Sequence, residues 1–463
     1  MRPPLTTATT NAPDNNHSLS PEDACVYQRQ RTTSGTIQKT TVLAVLLAAL
    51  TAVPASAQTP QVQKPQVQAP QAQTPQIQAP QIRAPETPST APAHATPASP
   101  PAPAPTIAAA PPPPPPPEDL RIATWDGAYG KAQQQAILEP LRKQLGFPFK
   151  TLARSPSSPH SDQADVVEVD QATLRKGCSS GRFARLGGIA LAAGGNGASA
   201  SDDFIPGALT DCGVGTFAWS SVIVFDVTKF EKREPDSLND ILNTKRYPGK
   251  RALIVNPPYL MSMLALATGV ARTELYQVLD TRKGADDVFA ALEKLRPHII
   301  WVDGSKTAIA MLDSGKATIS MSFSGRTFRR AVAGSIKTIW DGHVYDFASW
   351  AVPAGSRHTD QARQFIAAAT APALLAAQAR QWPYGPMRKS SAALADRHAL
   401  IDIPLAQHLP TAASRLAQGV IYDAAFWARN EAYYRKRLDA FREGFADGVR
   451  VPAPVQAPLR KRT

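Results

Sequence analysis

The sequence predicts an α/β fold, and three observations carry the prediction. From Leu120 onward, short apolar runs of strand character alternate with segments whose apolar residues recur at helical spacing. The segments between successive runs are long enough for crossover helices, which implies largely parallel sheets. Prolines are concentrated upstream: twenty of the 44 lie between Pro60 and Pro117, leaving about 345 residues of ordinary composition from Glu118 to Thr463. That length supports a sizeable core, as two medium domains or one large bilobed one.

The elements follow in order. Leu120–Thr124 is a short apolar run, and the glycine-containing stretch Trp125–Gly130 after it reads as a turn. Lys131–Leu145 places Ala132, Ala136, Ile137, Leu141 and Leu145 on one helical face, with Pro140 expected to kink or shorten the helix. Ala164–Val169 reads as a buried strand. Ser237–Leu242 looks like a capped helix, Pro248-Gly249 a turn and Arg251–Val255 a strand. Asp286–Leu295 carries Val288, Phe289, Leu292 and Leu295 on one face and leads into the strand His298–Val302. Thr307–Leu312 is again helical, and Ala317–Phe323 is the next strand. In parallel α/β sheets ligands bind outside the carboxyl ends of the strands, so candidate chemistry is sought there.

Upstream of this region the chain carries an export signal and a spacer. Val42 to Val53 are twelve apolar or small residues, preceded by Arg29, Arg31 and Lys39 and followed by Ala55-Ser56-Ala57. This is the pattern of a signal peptide cleaved after Ala57. As a helix the run covers about 18 Å, short of a bilayer core of about 30 Å. No cysteine follows it to take a lipid anchor. From Gln58 to Pro117, prolines five apart in units such as PQVQA, closing on seven consecutive prolines, predict an extended spacer without a core. The resulting organisation is an N-terminal extension and signal at 1–57, the spacer at 58–117 and a folded region at 118–463.

The chain has a formal net charge of +13. Six basic and four acidic residues precede Glu118, so +11 falls on the folded region. Those charges are dispersed, apart from the cluster at Lys436-Arg437 and the tail Arg460-Lys461-Arg462, which argues against nucleic acid as a partner. Of the three cysteines, Cys25 is lost with the signal. Cys178 and Cys212 remain, either bridged, as an oxidising compartment favours, or as two buried thiols. No G-x-S-x-G, G-x-x-x-x-G-K-[ST], H-E-x-x-H or C-x-x-C occurs, and the histidines (His298, His343, His358, His398 and His408 among them) show no metal-ligand spacing. The expectation is therefore a protein without enzymatic activity, metal or cofactor.

Several segments, taken in order, carry a family resemblance. LRIATWDGAYGKAQQQAILEPLRKQLG at 120–146, DDFIPGALTDCGVGTFAWSSVIVFD at 202–226, YPGKRAL at 247–253 and LATGV at 266–270 come first. ELYQVLDTRKGADDVFAALEKLRPHIIWVDG at 274–304, SGKATISMSFSGR at 314–326, IWDGHVYDFASWAVPAGS at 339–356, WPYGPM at 382–387 and a last helix with Phe426-Trp427 follow. Together they resemble the extracellular solute-binding proteins of bacterial ABC importers, of the polyamine-binding type. The resemblance implies a two-lobed periplasmic-binding-protein fold of type II, with a cleft between lobes joined by crossover strands near Trp219–Phe225 and Ser320–Ser324. It implies a monomeric periplasmic protein that hands a small solute to a permease and an ATPase. The family's Cys…DCGVGT pairing implies a Cys178–Cys212 disulfide.

Carried over residue by residue, the resemblance puts Trp125, Asp126 and Tyr129 on the loop after the first strand, facing the cleft. Trp219, Ser220, Phe323, Ser324, Arg326, Tyr345 and Asp346 complete the expected ligand-binding set, with Trp301 as an alternative aromatic. Rings and carboxylates suit a diamine, since a ring covers methylenes or attracts an ammonium and a carboxylate pairs with it. Two departures bear on the ligand. Met261, Ser262 and Met263 stand where many relatives carry a glutamate, and Arg326 stands where strict polyamine binders carry an acid. An arginine there clamps a carboxylate, which points to an amino-acid-like or opine-like zwitterion. The alternative from another class is a structural or interaction protein whose binding fold no longer serves transport.

Overall fold

A computed structural model describes residues 119–154, 163–230 and 232–444. The expected signal at 42–57, the expected proline-rich spacer at 58–117 and the tail at 460–462 lie outside these residues. Ten strands form one mixed sheet: β1 Leu120–Trp125, β2 Phe149–Arg154, β3 Val166–Asp170, β4 Gly213–Asp226, β5 Arg251–Ile254, β6 Ile299–Val302, β7 Ile319–Phe323, β8 Ile336–Ala351, β9 Gly385–Pro386 and β10 Val420–Ile421. The main helices are α1 Gly127–Gln133, α2 Glu139–Gln144, α3 Gln171–Ser179, α4 Pro257–Ala267, α5 Arg282–Leu295, α6 Ser305–Asp313, α7 Ser324–Val332, α8 Thr359–Ala369, α9 Pro372–Gln381 and α10 Ala424–Arg442.

The strand order is β2-β1-β3-β8-β4-β7-β5-β6, with β9 on β4 and β10 on β8. The flanks are parallel, as their crossover helices require: β1 pairs with β2 and β3, and β5 with β6 and β7. The middle departs from the expected parallel pattern. β4 and β8 are antiparallel to each other and to their outer neighbours β7 and β3. These are also the longest strands, at 14 and 16 residues. At about 3.3 Å per residue they run through more than one core.

Two large cores flank them. In the first, Leu120, Ile122 and Val166 pack with Phe217, Phe347 and Trp350 and with Phe365 of α8 and Leu375 of α9. In the second, Val222 and Phe225 pack with Leu253, Met321, Ile339 and Val344, under α4, α5 and the Trp427 and Tyr434 of α10. β4 thus gives Phe217 to one core and Val222 to the other, and β8 gives Val344 to one and Tyr345 to the other. This is the two-lobed α/β architecture with crossing strands. Ser320–Phe323 lies in β7, paired along Ser221–Val224 in the second core, and Ser324 opens α7, whose Phe328 packs in the first core, so the chain passes between the cores just after this segment. β8 is a further crossing strand.

Local chemistry shifts some boundaries. The expected turn at 125–130 is compressed to Asp126-Gly127, because Gly127 adopts φ 73° and the helix starts there. Pro140 does not end the helical stretch. A π-turn at Gln134–Leu138 precedes it, and Pro140 falls in the first turn of α2, within a helical stretch that continues through it. Ser237 and Asp240 form a capping box on the 3-10 turn Leu238–Leu242.

Cys178 at the end of α3 is bonded to Cys212, just before β4, with the Cα atoms 5.8 Å apart. The bridge ties α3 to the sheet beside a small cluster of Ala123, Val167, Val169 and Leu174. Replacing both cysteines by serine is expected to cost roughly 3–4 kcal/mol by the loop-entropy model. Denaturant melts of the double variant measure that loss. Peptide mapping of exported protein that returned two freely alkylated thiols would refute the pairing.

Candidate functional site

The carboxyl ends of the parallel strands lead into helix N-termini in both lobes. β1 passes through Asp126 to α1, β3 through Asp170 to α3, β5 through Val255-Asn256 to α4, and β7 directly into α7. Asp170 caps α3 by accepting from Thr173 N at 2.7 Å. Between these ends lies Asp346, on β8 where that strand leaves one core for the other.

Asp346 stands opposite Trp219 of β4 and is 5% exposed. Its Oδ1 accepts from Gln171 Nε2 at 2.9 Å and from Phe347 N at 2.7 Å. Its Oδ2 accepts from Tyr259 Oη at 3.2 Å. No cation among the described residues forms an ion pair with it. Burial, with the negative charge of Asp170 added, pushes its carboxyl up to about 7, against the hydrogen bonds that favour the ion.

Aromatic rings surround this carboxylate. Tyr259 lies edge-on to Phe323 at 5.2 Å and tilted against Tyr422 at 5.8 Å, and Trp219 Nε1 donates to Tyr259 Oη at 3.3 Å. Trp219 also approaches Tyr384 at 6.5 Å, and Tyr384 meets Trp382 and Tyr129. Gly325 lets the first turn of α7 close against the Tyr384 ring, where any Cβ would collide. Burial pushes the Tyr384 phenol up to about 12, opposed by a hydrogen bond with Trp382 and by the positive charge of Arg326. Arg326 is half-buried in that first turn, so the helix N-terminus and the guanidinium both place positive potential there.

The sequence-predicted residues divide. Trp219, Phe323 and Asp346 come together, and Arg326 joins them through Tyr384. Ser220 and Tyr345 do not, because they are the neighbouring pair in the ladder and point to the opposite face. Ser220 Oγ bonds His343 Nδ1 at 2.8 Å, and His343 Nε2 donates to Arg415 O at 2.9 Å. Burial pushes His343 down to about 4, so it is a neutral strut, closed in by Gly419 against its ring. Ser324 Oγ accepts from Ser220 N at 3.2 Å.

Trp125 is the last residue of β1, packed on the first core, and Asp126 is exposed and caps no helix N–H. Tyr129 is helical and nearly buried, donating at 2.7 Å to Glu168, which also accepts from Thr216 and Gln133. Its hydroxyl is committed inside the lobe, and only its ring reaches Tyr384. Trp301 packs on Phe441 at 6.3 Å, away from this group.

Sequence reasoning missed Gln171, Tyr259 and Tyr422. Tyr259 lies in the apolar run PPYLMSMLALA, which reads as core, and Gln171 has no signal beyond following a capping aspartate. No group of three metal-ligating side chains occurs among the described residues, and no described helix is long and apolar enough to cross a membrane. A surface groove walled by Leu186, Ile189, Leu191, Leu209 and Val214 contains none of the residues above.

The γ-aminobutyric acid-binding protein of Pseudomonas aeruginosa is 31% identical over 333 residues, which cover 70% of this chain and 91% of that protein. A solved GABA receptor is 25% identical with a TM-score of 0.57, over 72% of this chain and 99% of its own. MotA from A. tumefaciens B6, solved with glucopine, shares the fold at 22% identity and a TM-score of 0.56, over 70% of this chain and 100% of its own. Residues 150–404 match the model for bacterial extracellular solute-binding proteins, and the chain belongs to that family.

Proposed function

We propose that the protein captures a small zwitterionic amino acid of the γ-aminobutyrate class in the periplasm and delivers it to the permease and ATPase of an ABC importer. The observation that carries this reading is Asp346, a buried carboxylate given three hydrogen bonds and, among the described residues, no cation. A buried charge is costly until it is paired, and a solute ammonium supplies the pair. The rings of Trp219, Tyr259, Phe323 and Tyr422 suit the same end of the solute, attracting the ammonium and covering methylenes.

Arg326 supplies the opposite pole, since a guanidinium binds a carboxylate with two parallel hydrogen bonds. A polyamine has no carboxylate and meets Arg326 as a like charge. The γ-aminobutyrate ligand in the names of two relatives supports the same class. The export signal and proline spacer fit a mature periplasmic monomer beginning at Gln58, with 118–463 as its binding region.

A melting-shift screen of γ-aminobutyrate, putrescine, spermidine, α-amino acids and opines tests the reading. At a hundredfold excess over Kd, a true solute adds about 2.7 kcal/mol to stability. Arg326→Ala is expected to weaken γ-aminobutyrate binding roughly thirtyfold or more and to leave putrescine binding unchanged or improved. A screen in which only polyamines stabilise the protein, with Arg326→Ala neutral, would refute the zwitterion.

A further inference from the structure

The binding site contains a second layer that decides how Asp346 presents itself. A carboxylate offers about four lone-pair positions. Three are filled: two on Oδ1, by Gln171 Nε2 and Phe347 N, and one on Oδ2, by Tyr259 Oη. The direction of the Tyr259 bond is fixed by its neighbour. Trp219 Nε1 is a donor only and points at Tyr259 Oη, so the phenol proton is left for Asp346. One position on Oδ2 remains.

The two side chains that hold the acid come from different lobes. Gln171 opens α3, whose Leu174 packs with β1 and β3 residues, whereas Tyr259 lies in the second core. Asp346 is on a strand that crosses between them, so one carboxylate joins both sides of the cleft.

We propose that Gln171 and Tyr259 are positioning residues that hold the Asp346 carboxyl from both lobes, so that capture of a solute ammonium exchanges for its proton. This inference rests on the reading of the site given above. In the exchange, the solute arrives as R–NH3+, the Asp346 O–H bond breaks, the proton goes to water, and the carboxylate keeps the electron pair that receives the ammonium. The titratable groups facing Asp346 are Asp170 at the end of β3, Tyr259 on α4 and Tyr422 after β10. None of these described groups is a cation, so the solute brings a positive charge to this contact. Burial keeps the acid protonated to near neutral pH in the empty site, which supports the exchange.

The test has two arms. In ligand-free protein labelled at aspartate carboxyl carbons, the Asp346 resonance is assigned by its disappearance in Asp346→Asn and followed against pH. Tyr259→Phe, which keeps the ring, and Gln171→Leu are each expected to raise its midpoint by about one pH unit, the effect of one lost hydrogen bond to the ion. Midpoints unmoved in both variants would overturn the positioning role. In the second arm, γ-aminobutyrate is titrated calorimetrically in two buffers of different ionisation enthalpy. At pH 6.5 at least half a proton is released per solute, falling to near zero at pH 8.5. Tight binding with no proton release at either pH overturns the exchange alone. Absence of binding by γ-aminobutyrate and putrescine at every pH overturns the exchange together with the proposed function, while the carboxyl midpoints still decide the roles of Gln171 and Tyr259.

Discussion

Asp346→Asn is expected to weaken capture of an ammonium-bearing solute strongly while making the empty protein relatively more stable as pH rises. The two effects have one cause. The free acid is pushed up to about 7 by burial and by Asp170, so its folded-state value lies above the unfolded value near 3.8. A group raised in this way contributes stability fully below its unfolded value and loses that contribution as pH rises through the folded one. At pH 8 the ionised carboxylate therefore opposes folding in the empty site, and asparagine removes the charge. The melting temperature of the variant, taken relative to the unaltered protein, should climb between pH 5 and pH 8. Binding shows the reverse. Loss of the partner of a desolvated ammonium costs about 2–5 kcal/mol, or roughly 30- to 5000-fold in Kd. A variant with undiminished affinity would place the ammonium elsewhere, and a flat melting difference across pH would mean that Asp346 does not titrate in this range.

Arg388→Ala should be among the most damaging substitutions outside the aromatic group around Asp346. The Arg388 and Asp203 side chains are 0% and 1% exposed and are joined by a 2.6 Å bond. Arg388 also donates to Thr370 O at 3.1 Å and Ala192 O at 2.7 Å and lies over the Phe204 ring. Ser390 gives Asp203 two further bonds, from its N–H and its hydroxyl. Burial pushes the Asp203 carboxyl up, but the bonds from Ser390 and Arg388 and the arginine charge outweigh it and leave it below the usual range. A depressed acid contributes stability above its unfolded value and loses it as pH falls through the folded one. Truncating the arginine leaves that charge buried without its counter-ion, at a cost of about 3–5 kcal/mol. Urea melts should show a lower midpoint with an unchanged slope. Removing both charges together, as Arg388→Met with Asp203→Leu, should cost much less. Equal losses in the single and double variants would mean that packing, not the stranded charge, sets the cost.

The sequence by itself determined the α/β class, because strand and helix periods depend on which residues along the chain are apolar. It also determined the export signal and spacer as expectations, from proline and apolar composition alone. The ordered segments carried the family, and the resemblance around DCGVGT carried the Cys178–Cys212 bridge that the structure contains. Tyr259 and Gln171 were not legible, because an aromatic in an apolar helix and a glutamine after a capping aspartate look like core and surface. Ser220 and Tyr345 entered the expected set as chain neighbours of Trp219 and Asp346. In an extended strand each residue faces away from the next, so the register of β4 on β8 alone turned Trp219 and Asp346 inward together. Tertiary structure likewise decided that β8 crosses between the two cores along its length. It also decided that Asp346 meets Gln171 across 175 positions of sequence. Local pattern fixes what a segment is, whereas a binding site depends on which distant segments the packing brings face to face.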